Sequence, residues 1–336
     1  AHIERDADGI PVITASSRED LAFATGYAHA QDRFFQMDMI RRQAAGELSE
    51  MVGAVALDLD KRNRFHRFRS KAQAVMALAE DSDRAVIEAY TKGVNAGLAS
   101  LGARPFEYFV LGTKPQPWQP EDSVLVVYAM YMQLNDSRAN KEIRRGLAHR
   151  VLPAEVYEWL YPQGTPWDAP LMGGPRSVAE IPGPSVYSIR EVPDVAAPAR
   201  EVGRYPLRGS NNWAVSGALT TSGRAIVAND MHLGLNAPNI YYQARLVVDG
   251  ADGIDVAGVT LPGAPFIIAG SNTRVAWGYT NSYGDWVDAV ILQPGTADGT
   301  YLTPEGERPF AIHRETINVK DSDPVEFVVR ETVWGP

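Results

Sequence analysis

Nine prolines fall between residues 161 and 209, and they divide the chain into two halves that obey different hydrophobic periods. They are Pro162, Pro166, Pro170, Pro175, Pro182, Pro184, Pro193, Pro198 and Pro206. Proline lacks a backbone N–H and fixes φ, so neither a helix nor a central strand runs through such a stretch. No persistent period appears within it, and a structureless loop of this length is uncommon inside a compact domain. It reads as an exposed, protease-sensitive linker. Before it the apolar residues recur at helical spacing; after it they alternate. Helices first and strands later specify an α+β chain. The organisation expected is a mainly helical region over 1–172, a Pro/Gly-rich spacer or linker over 173–209, and a β-rich region over 210–336.

Residues 1–14 alternate around Asp6-Ala7-Asp8-Gly9, which predicts a short strand pair. Ser17 then has the character of a helix N-cap, with Glu19 and Asp20 in the first turn. Leu21, Ala24, Ala28 and Gln31 form one helical stripe. Phe34, Met37, Ile40, Ala44 and Leu48 form a second, ending near Gly53. Helical patterns continue over about 55–79, 82–100, 121–134, 138–150 and 153–160. Pro115, Pro117 and Pro120 break this run. From Asn212 onward, strand-like segments lie at 213–215, 225–227, 241–248, 254–257, 266–268, 275–277 and 287–292, and in the tail at 310–319 and 325–333.

Composition removes several classes of function. The net charge is −9, with a sequence pI near 5.2, and no basic run stands out, against a nucleic-acid partner. The chain has no cysteine, which excludes disulfides, thiolate metal sites and a cysteine nucleophile. No apolar run is long enough to span a membrane. Nothing suggests an organic cofactor. The compartment stays open on composition alone.

Ser210 stands where the irregular segment gives way to the first strand. One reading makes it a polar residue at a loop–strand junction. The other makes it a latent N-terminus. If the Gly209–Ser210 bond is cut, Ser210 carries a hydroxyl and an α-amine that serves as base for it. Such an amine titrates near pH ~8, so a substantial neutral fraction exists at working pH. A serine triad using His232 competes with this account. The G-x-S-x-G elbow that would favour an α/β-hydrolase is absent around every serine.

Five blocks occur in register: Ala30-Gln31-Asp32-Arg33-Phe34-Phe35-Gln36-Met37, Ser210-Asn211-Asn212-Trp213, Asn229-Asp230-Met231-His232-Leu233-Gly234, Pro262-Gly263-Ala264-Pro265 and Ala276-Trp277-Gly278-Tyr279-Thr280-Asn281. Together they resemble the penicillin acylase family of N-terminal-nucleophile hydrolases across nearly the whole chain. The resemblance implies an αββα sandwich and a periplasmic or secreted bacterial enzyme. It also implies self-cleavage at Gly209–Ser210 and two chains that stay together as a heterodimer. The 173–209 segment becomes a spacer removed after folding. Family members run on past the position of Pro336, so the chain is expected to be a fragment or a shortened member. An asparagine side chain that helps hold the oxyanion is expected beyond that point.

Carried onto this sequence, the resemblance assigns Ser210 as nucleophile and His232 as a supporting residue that positions it and aids processing. Asn281 supplies a backbone N–H to the oxyanion. Met132, Leu233 and Ile268 line the acyl pocket. Leu233 replaces an aromatic found in relatives that accept phenylacetyl groups, which points toward linear aliphatic acyl chains. Asp285 and Asp288, with the Val287 carbonyl between, are reasonable calcium ligands, and the resemblance adds Glu142. Each assignment has a plainer counterpart: a structural histidine, a polar strand end, ordinary core residues, a solvated acidic loop. Trp213 and Trp277 read as core anchors.

Two functions remain. One is an amidase that cleaves a small-molecule N-acyl amide through an acyl-serine ester. Its substrates would be acyl homoserine lactones, β-lactam side-chain amides or acylated peptides. The other is a non-catalytic secreted ligand-binding module with a structural calcium.

Overall fold

The computed structural model describes residues 1–135, 139–165, 167, 170, 172–174, 179–188, 190, 209–250, 253–281, 284 and 286–336. Most of the 173–209 segment therefore lies outside the described residues. The chain is α+β and divides into two compact units that cut across its linear order: 1–134, 208–282 and 292–336 in the first, 135–207 and 283–291 in the second.

In the first unit, β1 (His2–Arg5) and β2 (Pro11–Ala15) form the expected hairpin. Its turn is closed by Asp6 Oδ1, which accepts from the N–H groups of Asp8 and Ile10 at 3.0 and 2.9 Å. Ser17 caps the next helix, accepting from the Asp20 N–H at 3.0 Å. That helix, α1 (Arg18–Ala45), runs unbroken where the sequence suggested two. Nothing between Gln31 and Phe34 breaks a helix, and the end comes only at Gly46, in the left-handed conformation. Then follow α2 (Ser49–Val52), α3 (Leu57–Arg64), α4 (Phe68–Leu78), α5 (Asp81–Ser100), α6 (Phe106–Val110) and α7 (Pro120–Leu134). The pattern at 55–79 is thus two helices, and α6 was not foreseen; at five residues it is too short to show a period.

Helix α1 crosses α5 at very close range. A Cβ at Gly93 would overlap the Phe23 carbonyl, and one at Gly97 would overlap that of Tyr27, so only glycine fits the crossing.

The strands after the spacer are β3 (Ser210–Val215), β4 (Ile226–Met231), β5 (Tyr242–Val248), β6 (Ile254–Thr260), β7 (Ile267–Ser271), β8 (Ala276–Trp277), β9 (Thr300–Thr303), β10 (Gly306–Pro309), β11 (Ala311–Ile317) and β12 (Val325–Glu331). Six strands make one sheet in the order β1-β2-β5-β6-β7-β8, and among the described residues β3 pairs only with β4. The N-terminal hairpin enters the large sheet through a parallel pairing, Val12 beside Arg245 and Ala15 beside Val248. Alternation along β5 buries Tyr242, Ala244 and Leu246 and exposes Gln243 and Arg245. The buried side meets α1 through Leu21, Ala24 and Ala28. The expected strand at 287–292 does not form. Ile291 is 82% exposed there, so its apolar residues have no sheet face to cover.

Two polar networks lie inside the apolar packing. Asp38, fully buried, accepts from Arg41 and Arg42 at 2.8 and 2.9 Å and from the Tyr108 hydroxyl at 2.6 Å. Arg41 also binds Asp122 and lies 4.9 Å from the Trp118 ring centre. The second network centres on His29, which has no exposed surface. Gly263 N–H donates to the Tyr90 oxygen at 2.9 Å, and the Tyr90 hydroxyl donates to His29 Nδ1 at 2.8 Å. His29 Nε2–H donates to Thr260 Oγ1 at 2.9 Å, and that hydroxyl donates to the Tyr242 carbonyl at 2.9 Å. The last bond fixes every direction in the chain, hence the neutral Nε2–H tautomer. Burial pushes the His29 pKa down to about 3 and that of Tyr90 up.

The second unit contains α8 (Asn140–Val151) and α9 (Ala154–Leu160) together with the 283–291 stretch. His149 of α8 meets the Tyr157 ring edge-on, with centroids 4.9 Å apart.

Candidate active site

Ser210 is the first residue of β3, half-buried, opposite Met231 at the end of β4. Antiparallel pairing continues one step past the strands: His232 N–H donates to the Gly209 carbonyl at 3.0 Å. The bond joining Gly209 to Ser210 is therefore held directly beside His232, as the sequence suggested. Gly209 does not adopt a left-handed φ, and a Cβ there would lie 3.5 Å from His232 Nδ1, an ordinary contact. The backbone accepts a small side chain at this position, and a long one would meet the imidazole.

His232 Nε2 lies 2.8 Å from Asp230 Oδ2. A carboxylate accepts, so Nε2 carries a proton, and Nδ1 faces the Gly209 side. The Asn211 amide nitrogen is 3.4 Å from both Asp230 Oδ2 and His232 Nε2; with Nε2 as a donor, only the Asp230 contact is a hydrogen bond. Donation from His232 and then Asn211 lowers the Asp230 pKa. Both His232 and Asp230 are open to solvent.

The other predicted residues fall as follows. Asn281 lies beyond β8, and its side-chain amide donates to the Leu134 carbonyl at the end of α7, 3.0 Å away. Ile268 packs on the cluster around Phe34, Tyr90 and Trp118, and Met132 on a separate cluster around Phe68 and Leu125. Leu233 is half-buried after β4, its N–H on the Met231 carbonyl at 2.9 Å. No single apolar cluster gathers these three. Trp277 behaves as an anchor, donating from its indole to the Ile268 carbonyl at 3.1 Å. Trp213 does not: it is 52% exposed, on the face of β3 opposite Ser210. A cavity of about 570 Å³ bounded by Tyr301, Arg308, His313 and Glu331 contains none of the predicted site residues.

Of the expected calcium ligands, Glu142 is on α8, Val287 and Asp288 are in the 283–291 stretch, and Asp285 lies outside the described residues. Among the described residues, no three His, Cys, Asp or Glu side chains are grouped to hold a metal. The donors that can be placed are oxygens of the type calcium takes. Both segments belong to the same compact unit.

Sequence reasoning missed two sets of contacts. In the first, Asp32 accepts from the Tyr242 hydroxyl at 2.6 Å and from Arg5 at 2.7 Å. Arg33 and Gln36 both donate to the Asn239 carbonyl, at 2.8 and 3.1 Å. The Ala30–Met37 block thus grips the segment that joins β4 to β5, on which Leu233 sits. In the second, the Asn229 amide donates to the carbonyls of Asn211 and Tyr279, at 3.1 and 3.0 Å, and its oxygen accepts from the Tyr279 N–H at 3.3 Å. The Asn212 amide donates to the Gly278 carbonyl at 2.6 Å. The available signal was a pair of asparagines in strands, where polar amides are disfavoured unless they bond.

The family model described as Penicillin amidase matches residues 1–336. Acyl-homoserine lactone acylase QuiP of Pseudomonas aeruginosa is 33% identical over 347 residues, covering 99% of this chain and 39% of that protein. Penicillin acylase 2 proenzyme of Pseudomonas sp. (strain SE83) is 33% identical over 343 residues, covering 99% and 43%. The chain thus spans about two fifths of the length of these curated relatives. Among solved structures, the thermostable penicillin G acylase from Alcaligenes faecalis aligns with a TM-score of 0.44 and 26% identity, over 52% of this chain and 97% of that one.

Proposed function

This chain belongs to the penicillin amidase family, and we propose that it hydrolyses an N-acyl amide using Ser210, after the bond between Gly209 and Ser210 has been cut. The observation that carries this reading is the placement of that bond. It sits at the mouth of a two-stranded sheet, its carbonyl bonded to the His232 N–H, with the Asn281 stretch tied to the same sheet. The relatives named above are acylases, which supports an enzyme over a binding module.

In the uncut chain the Ser210 hydroxyl attacks the Gly209 carbonyl, whose oxygen the His232 N–H polarises. The C–N bond breaks as the acyl group moves to Oγ, and water hydrolyses the resulting ester. Gly209 leaves as a carboxylate and Ser210 gains an α-amine. That amine then takes the hydroxyl proton as Oγ attacks a substrate carbonyl. The family resemblance assigns the Asn281 backbone N–H to the oxyanion, while its side-chain amide donates to the Leu134 carbonyl. Proton transfer to the leaving nitrogen frees the amine product, and water releases the acid from Oγ.

The cut pieces stay together as a heterodimer in this account, because β1 and β2 precede the cut and β5–β8 follow it within one sheet. The full assembly is an αββα sandwich in the periplasm or outside the cell. Calcium is held by Glu142, Asp285, Asp288 and the Val287 carbonyl, where it has a structural role. Leu233, Ile268 and Met132 favour a linear aliphatic acyl group, as in an acyl homoserine lactone, over phenylacetyl.

Mass spectrometry of the full-length protein and its Ser210→Ala variant tests the proposal. The wild type should yield a chain beginning at Ser210, and the variant should stay whole and inactive. Cleavage of the variant at the same bond would assign the cut to another protease and remove Ser210 from its role.

A further inference from the structure

Asn229 and Gly278 belong to two of the five sequence blocks, yet the mechanism above uses neither. The sheet topology shows what they do. β3 and β4 form a sheet of their own, and among the described residues no backbone ladder joins it to β8 or the residues after it. The join is made by side chains. Asn229 presents an amide to the Tyr279 backbone as a neighbouring strand would, donating to its carbonyl and accepting from its N–H. The same amide nitrogen bonds the Asn211 carbonyl, next to Ser210. Asn212, paired with Asn229 across the two strands, reaches the Gly278 carbonyl. Gly278 has to be glycine for this to work, because a Cβ there would lie 2.6 Å from Asn229 Cγ and 2.7 Å from Oδ1.

We infer that Asn229 and Asn212 are positioning residues. Their amides replace a missing strand-to-strand ladder and set the distance between the Ser210 hydroxyl and the Asn281 backbone N–H. Neither touches substrate. The inference rests on the proposed roles of Ser210 and Asn281. Its chemistry is that of near-attack geometry: displacing a reacting group by an ångström costs on the order of 10²-fold in rate.

The test uses the full-length protein, an N-octanoyl 4-nitroanilide as probe, and active sites counted by stoichiometric sulfonylation with phenylmethylsulfonyl fluoride, fluoride leaving as the serine oxygen bonds to sulfur. Asn229→Ala should lower kcat per titrated site by on the order of 10²-fold with KM changed less than about threefold. Asn212→Ala, which loses one bond, should lower it by about tenfold. A purely structural role would reduce the number of titratable sites and leave kcat per site alone. The pair Asn229→Gly and Gly278→Ala is more specific still. Gly278→Ala should be harmful in the wild type and nearly silent when Asn229 is already glycine, because the Cβ, Cγ and Oδ1 that it strikes are all gone. Wild-type kcat per site in both asparagine variants, or an additive double variant, would overturn the inference. If Asn229→Ala yields no folded protein, Asn212→Ala alone decides it. Ser210→Ala is run alongside: activity surviving there defeats the underlying reading, whereas normal kcat in the asparagine variants with a dead Ser210→Ala defeats only this inference.

Discussion

His29 and His232 sit in opposite surroundings. His29 is sealed between α1, α5 and the large sheet, with both ring nitrogens bonded to hydroxyls and its pKa driven down to about 3 by burial. His232 stands in the open at the end of β4, with one nitrogen on Asp230 and the other toward Gly209. An imidazole that is buried, neutral and saturated with partners holds a fold together and has no capacity left for chemistry. One that is exposed and oriented by a carboxylate still turns a ring nitrogen toward the Gly209–Ser210 bond. The difference lies in the packing around each ring, and the same contrast separates the helix–sheet seam from the Ser210 hairpin.

The largest effect on stability should come from the seam's charged core. Asp38→Ala leaves Arg41 and Arg42 buried without their carboxylate, and should cost about 3–5 kcal/mol in chemical denaturation. A loss below 1 kcal/mol would mean that Asp122 and Glu50 carry these arginines alone. His29→Leu comes next. It leaves the Tyr90 hydroxyl without an acceptor in a dry site and should cost about 3 kcal/mol.

The third effect is one of pH. The folded pKa of His29 lies below its unfolded value, so between about 6.5 and 3 the unfolded chain binds a proton that the folded chain refuses. Stability should therefore fall as pH drops through this window, by about 1.4 kcal/mol per unit from this group. His29→Leu should flatten the slope between pH 6 and 4.5; an unchanged slope would show that His29 is not the group that titrates. The smallest effect belongs to His232→Ala, which should shift stability by less than about 0.5 kcal/mol while slowing both self-cleavage and turnover. Equal destabilisation by the two histidine variants would erase the contrast.

Much of the fold was legible because it follows from local rules. Ser17 caps α1 through its hydroxyl, the Asp6 turn closes the first hairpin, and β5 shows its buried face as plain alternation. The errors have physical causes too. An apolar run at 287–292 satisfies strand propensity, but a strand also needs a partner, and among the described residues none pairs with it. Trp213 has the bulk of a core residue, yet the alternation of β3 sends it to the face away from Ser210. At the site, the family resemblance set His232 beside Ser210, and the pairing of β3 with β4 accounts for that placement. The bonds of Asn229 and His29 could not be read from sequence, since each depends on elements far apart in the chain whose registers no local pattern reveals.

The parallel pairing of β2 with β5 has a consequence in time. Val12 is synthesised 233 residues ahead of its partner Arg245. At about 5–20 residues per second, the N-terminal hairpin waits roughly 10–50 s for its neighbour to exist. A lone two-stranded hairpin is marginal in water, so during that interval its inner edge is an open invitation to other nascent chains. The equilibrium cost of so wide a closure is slight, about 0.6 kcal/mol for each doubling of the loop; the burden falls on the rate. Severing Gly209 from Ser210 before β5 docks would turn that closure into an encounter between two molecules, at the mercy of dilution. The order of events is thereby set: the tether has to outlast the sheet's assembly, and only afterwards is it dispensable.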